Sequence, residues 1–115
     1  MILKNFGYKI WQAIMAIKPT VGKAVSDLKS IDDGNVLTIQ PPVGETWVIE
    51  MITFGAACTI KFTDGTLSNT IDEPTEAGVI EKAGYRITNS HYITVTNTSG
   101  GSAVFGYSGY KVNEA

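Results

Sequence analysis

Pro41-Pro42-Val43-Gly44 leads almost directly into Thr46-Trp47-Val48-Ile49-Glu50-Met51-Ile52-Thr53-Phe54, a run dense in β-branched and aromatic residues. The prolines fix two φ angles and remove two backbone donors, so no regular ladder runs through them. From Thr46 onward the composition is that of a strand, bounded by Gly44 and Gly55. Strict alternation puts Trp47, Ile49, Met51 and Thr53 on one face and Val48, Glu50, Ile52 and Phe54 on the other. Both faces are largely apolar, as in an inner strand covered on both sides, with Glu50 the exception. The expectation is that Trp47, Ile49 and Met51 fill a core. Val48, Ile52 and Phe54 would then be covered by a neighbouring subunit or by the N-terminal arm.

The rest of the sequence divides at about residue 30. Residues 1–30 carry five lysines against Asp27, a balance of +4, whereas residues 31–115 carry four basic against ten acidic residues, a balance of −6. This is the pattern of a basic arm on an acidic module. Within the arm, Leu3, Phe6, Ile10, Ile14 and Ile17 follow three- and four-residue spacing, with Trp11 and Met15 alongside. That spacing allows an amphipathic helix ending at Pro19; Gly7 and the β-branched residues make an extended arm the alternative. Either way the apolar content demands burial, on its own sandwich, on a neighbouring subunit or on a larger scaffold. Val21, Val25, Leu28 and Ile31 suggest a short helix or an irregular connector.

Beyond Ile31 the texture is short strands and turns. Strands are expected at 36–40, 46–54, 58–62, 67–71, 79–81, 85–88, 92–97 and 102–111. Asp32-Asp33-Gly34-Asn35 and Thr63-Asp64-Gly65-Thr66 are turn signals, the latter suited to the positive φ of a tight hairpin. About eight strands with turns every eight to twelve residues point to a β-sandwich or barrel, and nothing resembles the strand–helix alternation of a parallel α/β sheet. A chain of 115 residues is enough for one such domain.

Few patterns point to chemistry. His91 is the only histidine and Cys58 the only cysteine, which excludes an intrachain disulfide and a multi-histidine metal site within one chain. Cys58, in Ala57-Cys58-Thr59-Ile60, reads as a buried apolar thiol. Ser90 adjoins His91, but alternation in a strand would set them on opposite faces. Asp72, Glu73 and Glu76 share a proline-containing loop that reads as solvated charge. Asp32-Asp33-Gly34-Asn35 lacks the spaced ligands of a calcium loop. Lys61, Lys82, Arg86 and Lys111 are scattered among ten acids, which argues against nucleic acid. Trp47, Tyr85, Tyr92, Tyr107 and Tyr110 are candidates for carbohydrate contact, against a more ordinary role in core or interface. No run of eighteen apolar residues occurs, and no signal-peptide core or cleavage site is present, so the chain reads as soluble and made in the cytoplasm.

The charged fraction, 17%, is low, which suggests a surface partly covered by other subunits. Leu37-Thr38-Ile39-Gln40-Pro41-Pro42 leading into Gly44-Glu45-Thr46-Trp47-Val48-Ile49 is followed by Ile60-Lys61-Phe62-Thr63-Asp64-Gly65. Then come Ile87-Thr88-Asn89-Ser90-His91-Tyr92-Ile93-Thr94-Val95-Thr96-Asn97 and the closing Phe105-Gly106-Tyr107-Ser108-Gly109-Tyr110. In texture and strand order, over residues 35–111, this resembles the compact jelly-roll modules of tailed-phage virions, found as head decoration (cement) proteins, head-fibre bases and tail-tip domains, often as trimers. The resemblance implies a jelly-roll-like antiparallel β-sandwich, in a domain of residues 31–115; residues 1–30 fall outside it, and their reading as anchoring arm and connector rests on their apolar, basic composition alone. The resemblance also implies a virion structural protein on the capsid exterior, without catalysis or cofactor. The expected partners are the major capsid protein and the chain itself as a homotrimer, with neither nucleic acid nor membrane. The arm residues Ile2, Leu3, Phe6, Ile10, Trp11 and Ile14, with Lys4 and Lys9 attracted to acidic capsid surface, would make much of the contact. Trp47, Val48, Ile52 and Phe54 would serve the core or a subunit interface. The alternative is a receptor- or glycan-binding module of a tail or fibre.

Overall fold

The computed structural model describes residues 22–113, and the arm residues Ile2, Leu3, Lys4, Phe6, Lys9, Ile10, Trp11 and Ile14 lie outside that range. The described residues form nine strands: β1 (Ala24–Ile31), β2 (Val36–Ile39), β3 (Thr46–Phe54), β4 (Cys58–Thr63), β5 (Ser68–Asp72), β6 (Gly78–Ile80), β7 (Tyr85–Thr88), β8 (Tyr92–Asn97) and β9 (Ala103–Asn113). One sheet has the order β1-β9-β3-β6, with β7 also on β3; the other has the order β2-β8-β4-β5. Every pairing is antiparallel. This interleaving of two four-position sheets is a jelly roll. Strands β6 and β7 fill one position together: β6 pairs with the Ile52–Phe54 end of β3 and β7 with its Thr46–Ile49 end.

The core lies between the sheets. Leu37, Ile39, Ile60, Ile93 and Val95 come from one side, and Ile49, Ile52, Phe54, Ile87 and Phe105 from the other. Strand β3 occupies an inner position of its sheet, as its composition suggests, but it does not keep a single alternation. Ile49 and Ile52 are both fully buried although three residues apart. The reason is a β-bulge: Ile49 pairs with Gly109 and Met51 with Ser108, leaving Glu50 as the extra residue. The carbonyl of Glu50 accepts a hydrogen bond from the Ala83 N–H at 2.9 Å, in the connection between β6 and β7. The bulge swaps the faces beyond it. Ile52 and Phe54 therefore enter the chain's own core, and Met51 and Thr53 turn outward, which corrects the face assignment drawn from strict alternation. Val48 does lie on the outer face, flanked in register by Tyr110 and Arg86, and it is nonetheless buried. Trp47 packs partly buried against the core.

This inversion has a direct test. Ile52→Ala should cost about 3 kcal/mol, the range for emptying a closed core site, and Met51→Ala less than about 1 kcal/mol. Urea denaturation of the two variants reads the difference, and the opposite ranking would indicate an unbulged strand.

A second correction concerns residues 24–31, for which the sequence suggests a helix or a connector. They form β1, paired with β9 from Ala24↔Tyr110 to Ile31↔Ala103. Val25 and Ile31, an even number of residues apart, face inward, while Leu28 faces out and is 70% exposed. The sandwich thus begins several residues before position 31.

Candidate functional site

Two surfaces stand out, one on a sheet face and one at the end of the sandwich. The first is the outer face of the β1-β9-β3-β6 sheet. Registers across the strands place Ser26, Ser108 and Met51 in one row and Leu28, Gly106, Thr53 and Val79 in the next. Neither row contains a charged side chain. Leu28, Val79 and Val104 are 70%, 44% and 52% exposed. A cavity of about 360 Å³ opens here, lined by Leu28, Met51, Thr53, Tyr107 and the two serines of the first row, with Asp27 as its one charged side chain. A Cβ at position 106 would run into the Leu28 side chain, so Leu28 lies across the glycine, and the sheet surface stays low there.

The second surface is built on the Asp-Gly hairpin between β4 and β5. Asp64 Oδ1 accepts the Thr66 and Leu67 N–H groups at 2.8 and 2.7 Å, and Gly65 takes φ 95°. Thr63 Oγ1 donates to the Leu67 carbonyl and accepts from the Gly65 N–H, both at 2.9 Å. The Leu67 and Thr66 donors, with a smaller contribution from His91, hold the Asp64 carboxyl below its ordinary range. Along β4, Cys58 and Ile60 are buried core residues, but Phe62, next in the same alternation, is 37% exposed. On the neighbouring strand Ile93 and Val95 are buried, while His91, two residues earlier, is exposed. At this end the inward face of the second sheet therefore runs past its cover. The Phe62 and His91 rings stack with centroids 6.1 Å apart and planes 25° apart. They border an open cavity of about 330 Å³, together with Thr63, Asp64, Leu67, Ser68 and Asn69.

Other residues singled out in the sequence have structural partners. His91 precedes β8 and is not part of the strand, so alternation does not separate it from Ser90: Ser90 Oγ lies 3.1 Å from His91 Nδ1. Trp47 stacks on Tyr107 (centroids 6.3 Å, 27°) and donates its indole N–H to Glu45 Oε1 at 3.0 Å. Lys111 Nζ meets the same oxygen at 3.1 Å. The indole hydrogen bond first, then Lys111, lower the Glu45 carboxyl pKa. Trp47, Tyr85 and Tyr107 pack against the core and so offer no free aromatic platform; Tyr110 is more than a third exposed on the outer sheet face. Cys58 is buried, and burial first, then the charge of Asp72, pushes its thiol up to about 11. Asp32 accepts from Ser102 Oγ at 2.6 Å and Asp33 from the Gly100 N–H at 2.9 Å, so both serve to tie two turns together. Among the described residues, no three His, Cys, Asp or Glu side chains lie close enough to hold a metal ion.

Phe62 and His91 were not legible as a pair. Phe62 reads as an ordinary buried member of an alternating strand. The only signal is its position one residue before the Asp-Gly turn, where a strand outruns its core.

No protein-family model matches the sequence, and the search of curated proteins returns no match. Among solved structures, the chain is similar to the capsular polysaccharide assembling protein CapF from Staphylococcus aureus, with 12% identity and a TM-score of 0.42. The similarity covers 79% of this chain and 25% of that one, so the chain spans about a quarter of that protein's length.

Proposed function

We propose that this chain is a virion structural protein, a capsid decoration or cement protein that docks on the outer surface of an assembled shell. The observation that carries this reading is the pair of uncharged rows, Ser26-Ser108-Met51 and Leu28-Gly106-Thr53-Val79, on the outer face of the β1-β9-β3-β6 sheet, with Leu28, Val79 and Val104 exposed there. Contiguous exposed apolar surface marks an interaction site. A protein that binds assembled subunits more tightly than separated ones stabilises the shell by mass action. The resemblance to phage jelly-roll modules agrees with such a role. In this reading the sheet face rests on the major capsid protein, and the apolar, lysine-bearing residues 2–14 add a second contact from the same chain. Two linked contacts bind more tightly than either alone, because the second forms at high effective concentration. Trimerisation would multiply the same effect.

Leu28→Asp tests the face, since the side chain is 70% exposed and its replacement leaves the core intact. The variant should lose at least about tenfold in capsid occupancy, equivalent to about 1.4 kcal/mol, measured by co-sedimentation with shells at matched concentration. Its thermal midpoint should stay near that of the unaltered chain. Deletion of residues 1–17 should reduce occupancy further. Full occupancy by both variants refutes the reading.

The open end of the sandwich favours the second reading, a receptor- or glycan-binding module of a tail or fibre. Binding to host cells without binding to shells would select it.

A further inference from the structure

We infer that the open end of the sandwich is a carbohydrate site, in which the C–H face of a neutral pyranose rests on Phe62 and its hydroxyls meet Asp64, Asn69 and His91. The argument starts from what the cavity offers. Phe62 presents an apolar ring that its own core does not cover, steadied by near-parallel contact with the His91 imidazole. Around that ring stand a carboxylate, an amide, an imidazole and two hydroxyl side chains.

Their hydrogen-bonding capacity is partly committed and partly free. Both turn hydrogen bonds to Asp64 fall on Oδ1, so Oδ2 is the acceptor available to a ligand. Ser90 engages His91 Nδ1, which leaves Nε2 as the second ring nitrogen. Asn69 lies opposite Phe62 in the β4–β5 register and adds an amide with both donor and acceptor groups. A partner that satisfies this set needs hydroxyls, which donate and accept, arranged around a flat apolar face. A pyranose has that construction. A purely apolar ligand would leave the polar rim unpaired, at a cost for each desolvated group. An anion would meet the Asp64 carboxylate, which is ionised at neutral pH. The cavity volume, about 330 Å³, sits at the small end of the range for small-molecule sites and suits one or two sugar rings. The site is separate from the outer sheet face: the two cavities share no residue.

The test begins with a glycan array probed with the full chain. Monosaccharides (glucose, galactose, mannose and N-acetylglucosamine) and the array hits are then titrated into the full chain and followed by NMR chemical shifts. At least one sugar should shift the signals of Phe62, His91 and Asn69. Asp64→Asn keeps Oδ1 for the turn and replaces Oδ2 by an N–H donor, so it should weaken binding about tenfold or more with an unchanged melting temperature. Phe62→Ala should abolish binding, and Phe62→Trp, which keeps an aromatic face, should retain it. Capsid occupancy should be unaffected in Asp64→Asn, so loss of sugar binding and loss of shell binding are independent results. The inference is overturned if no sugar or array glycan binds, if binding persists unchanged in both Phe62→Ala and Asp64→Asn, or if methylammonium shifts these signals and no sugar does.

Discussion

Asn97→Asp is expected to destabilise the protein by about 4 kcal/mol at neutral pH, a large part of the total for a domain of this size. Asn97 ends β8 and is fully buried. Its amide nitrogen donates to the carbonyls of Ile31 and Gly101 at 2.7 and 2.8 Å, and its side-chain oxygen accepts from Ser99 N–H and Ser99 Oγ at 2.9 and 2.7 Å. One side chain thereby ties the end of β1 to the turn between β8 and β9. Aspartate is nearly the same size but offers an oxygen where two carbonyl oxygens need a donor. A buried carboxylate facing two carbonyls has lost both hydrogen bonds and gained repulsion, and the unsatisfied groups alone account for a few kcal/mol.

The pH dependence separates this cause from a packing defect. Burial and the two facing carbonyl oxygens penalise the ionised form of the introduced carboxyl, so its folded pKa lies above the unfolded value of about 3.9. The folded state then binds more protons than the unfolded state in the window above that value, and stability falls as pH rises through it. The deficit should therefore shrink as pH is lowered towards about 4. Urea denaturation of variant and unaltered chain at pH 7 and at acid pH measures it; a deficit independent of pH would point to steric disruption instead.

Gly109→Ala should cost at least about 3 kcal/mol, for a reason of space and not of backbone conformation. Gly109 faces Ile49 across the β3–β9 ladder, at the position where β3 bulges. A Cβ there would overlap the Val48 carbonyl oxygen and stand 2.9 Å from Ile49 Cα. These are backbone atoms, so relief requires moving β9 away from β3, and the hydrogen bonds between the two inner strands of the first sheet weaken with it. Gly101→Ala is the control: nothing lies within 4 Å of its Cβ, and it should change stability by less than about 0.5 kcal/mol. Equal effects of the two substitutions would contradict the close approach.

Much of the fold was readable before any coordinates. The expected strands at 46–54, 85–88 and 92–97 coincide with β3, β7 and β8, and the Asp64-Gly65 turn forms where its residue types require it. The legible elements are those whose cause is local: turn chemistry, proline punctuation and β-branched runs. Strand β1 escaped because Val25, Leu28 and Ile31 have helix-like spacing, and only the free edge of β9 makes an extended conformation the better one. Of the two candidate surfaces, the outer face could not be drawn while Met51 was placed in the core and Ile52 outside. The Phe62–His91 contact joins a residue of β4 to the turn before β8 and carries no motif.

The run from Thr46 to Phe54 was an inner strand by composition alone. Short-range sterics and a density of apolar side chains leave such a segment no other stable use. Which of its side chains fill the core was decided only by the tertiary structure. One extra residue at Glu50, held by the Ala83 N–H from a loop thirty-odd residues away, inverts every position after it. Side-chain alternation has a period of two, so a single insertion is enough to exchange the faces. That insertion is set by pairing with β9, β6 and β7, and no window of sequence around β3 contains those partners.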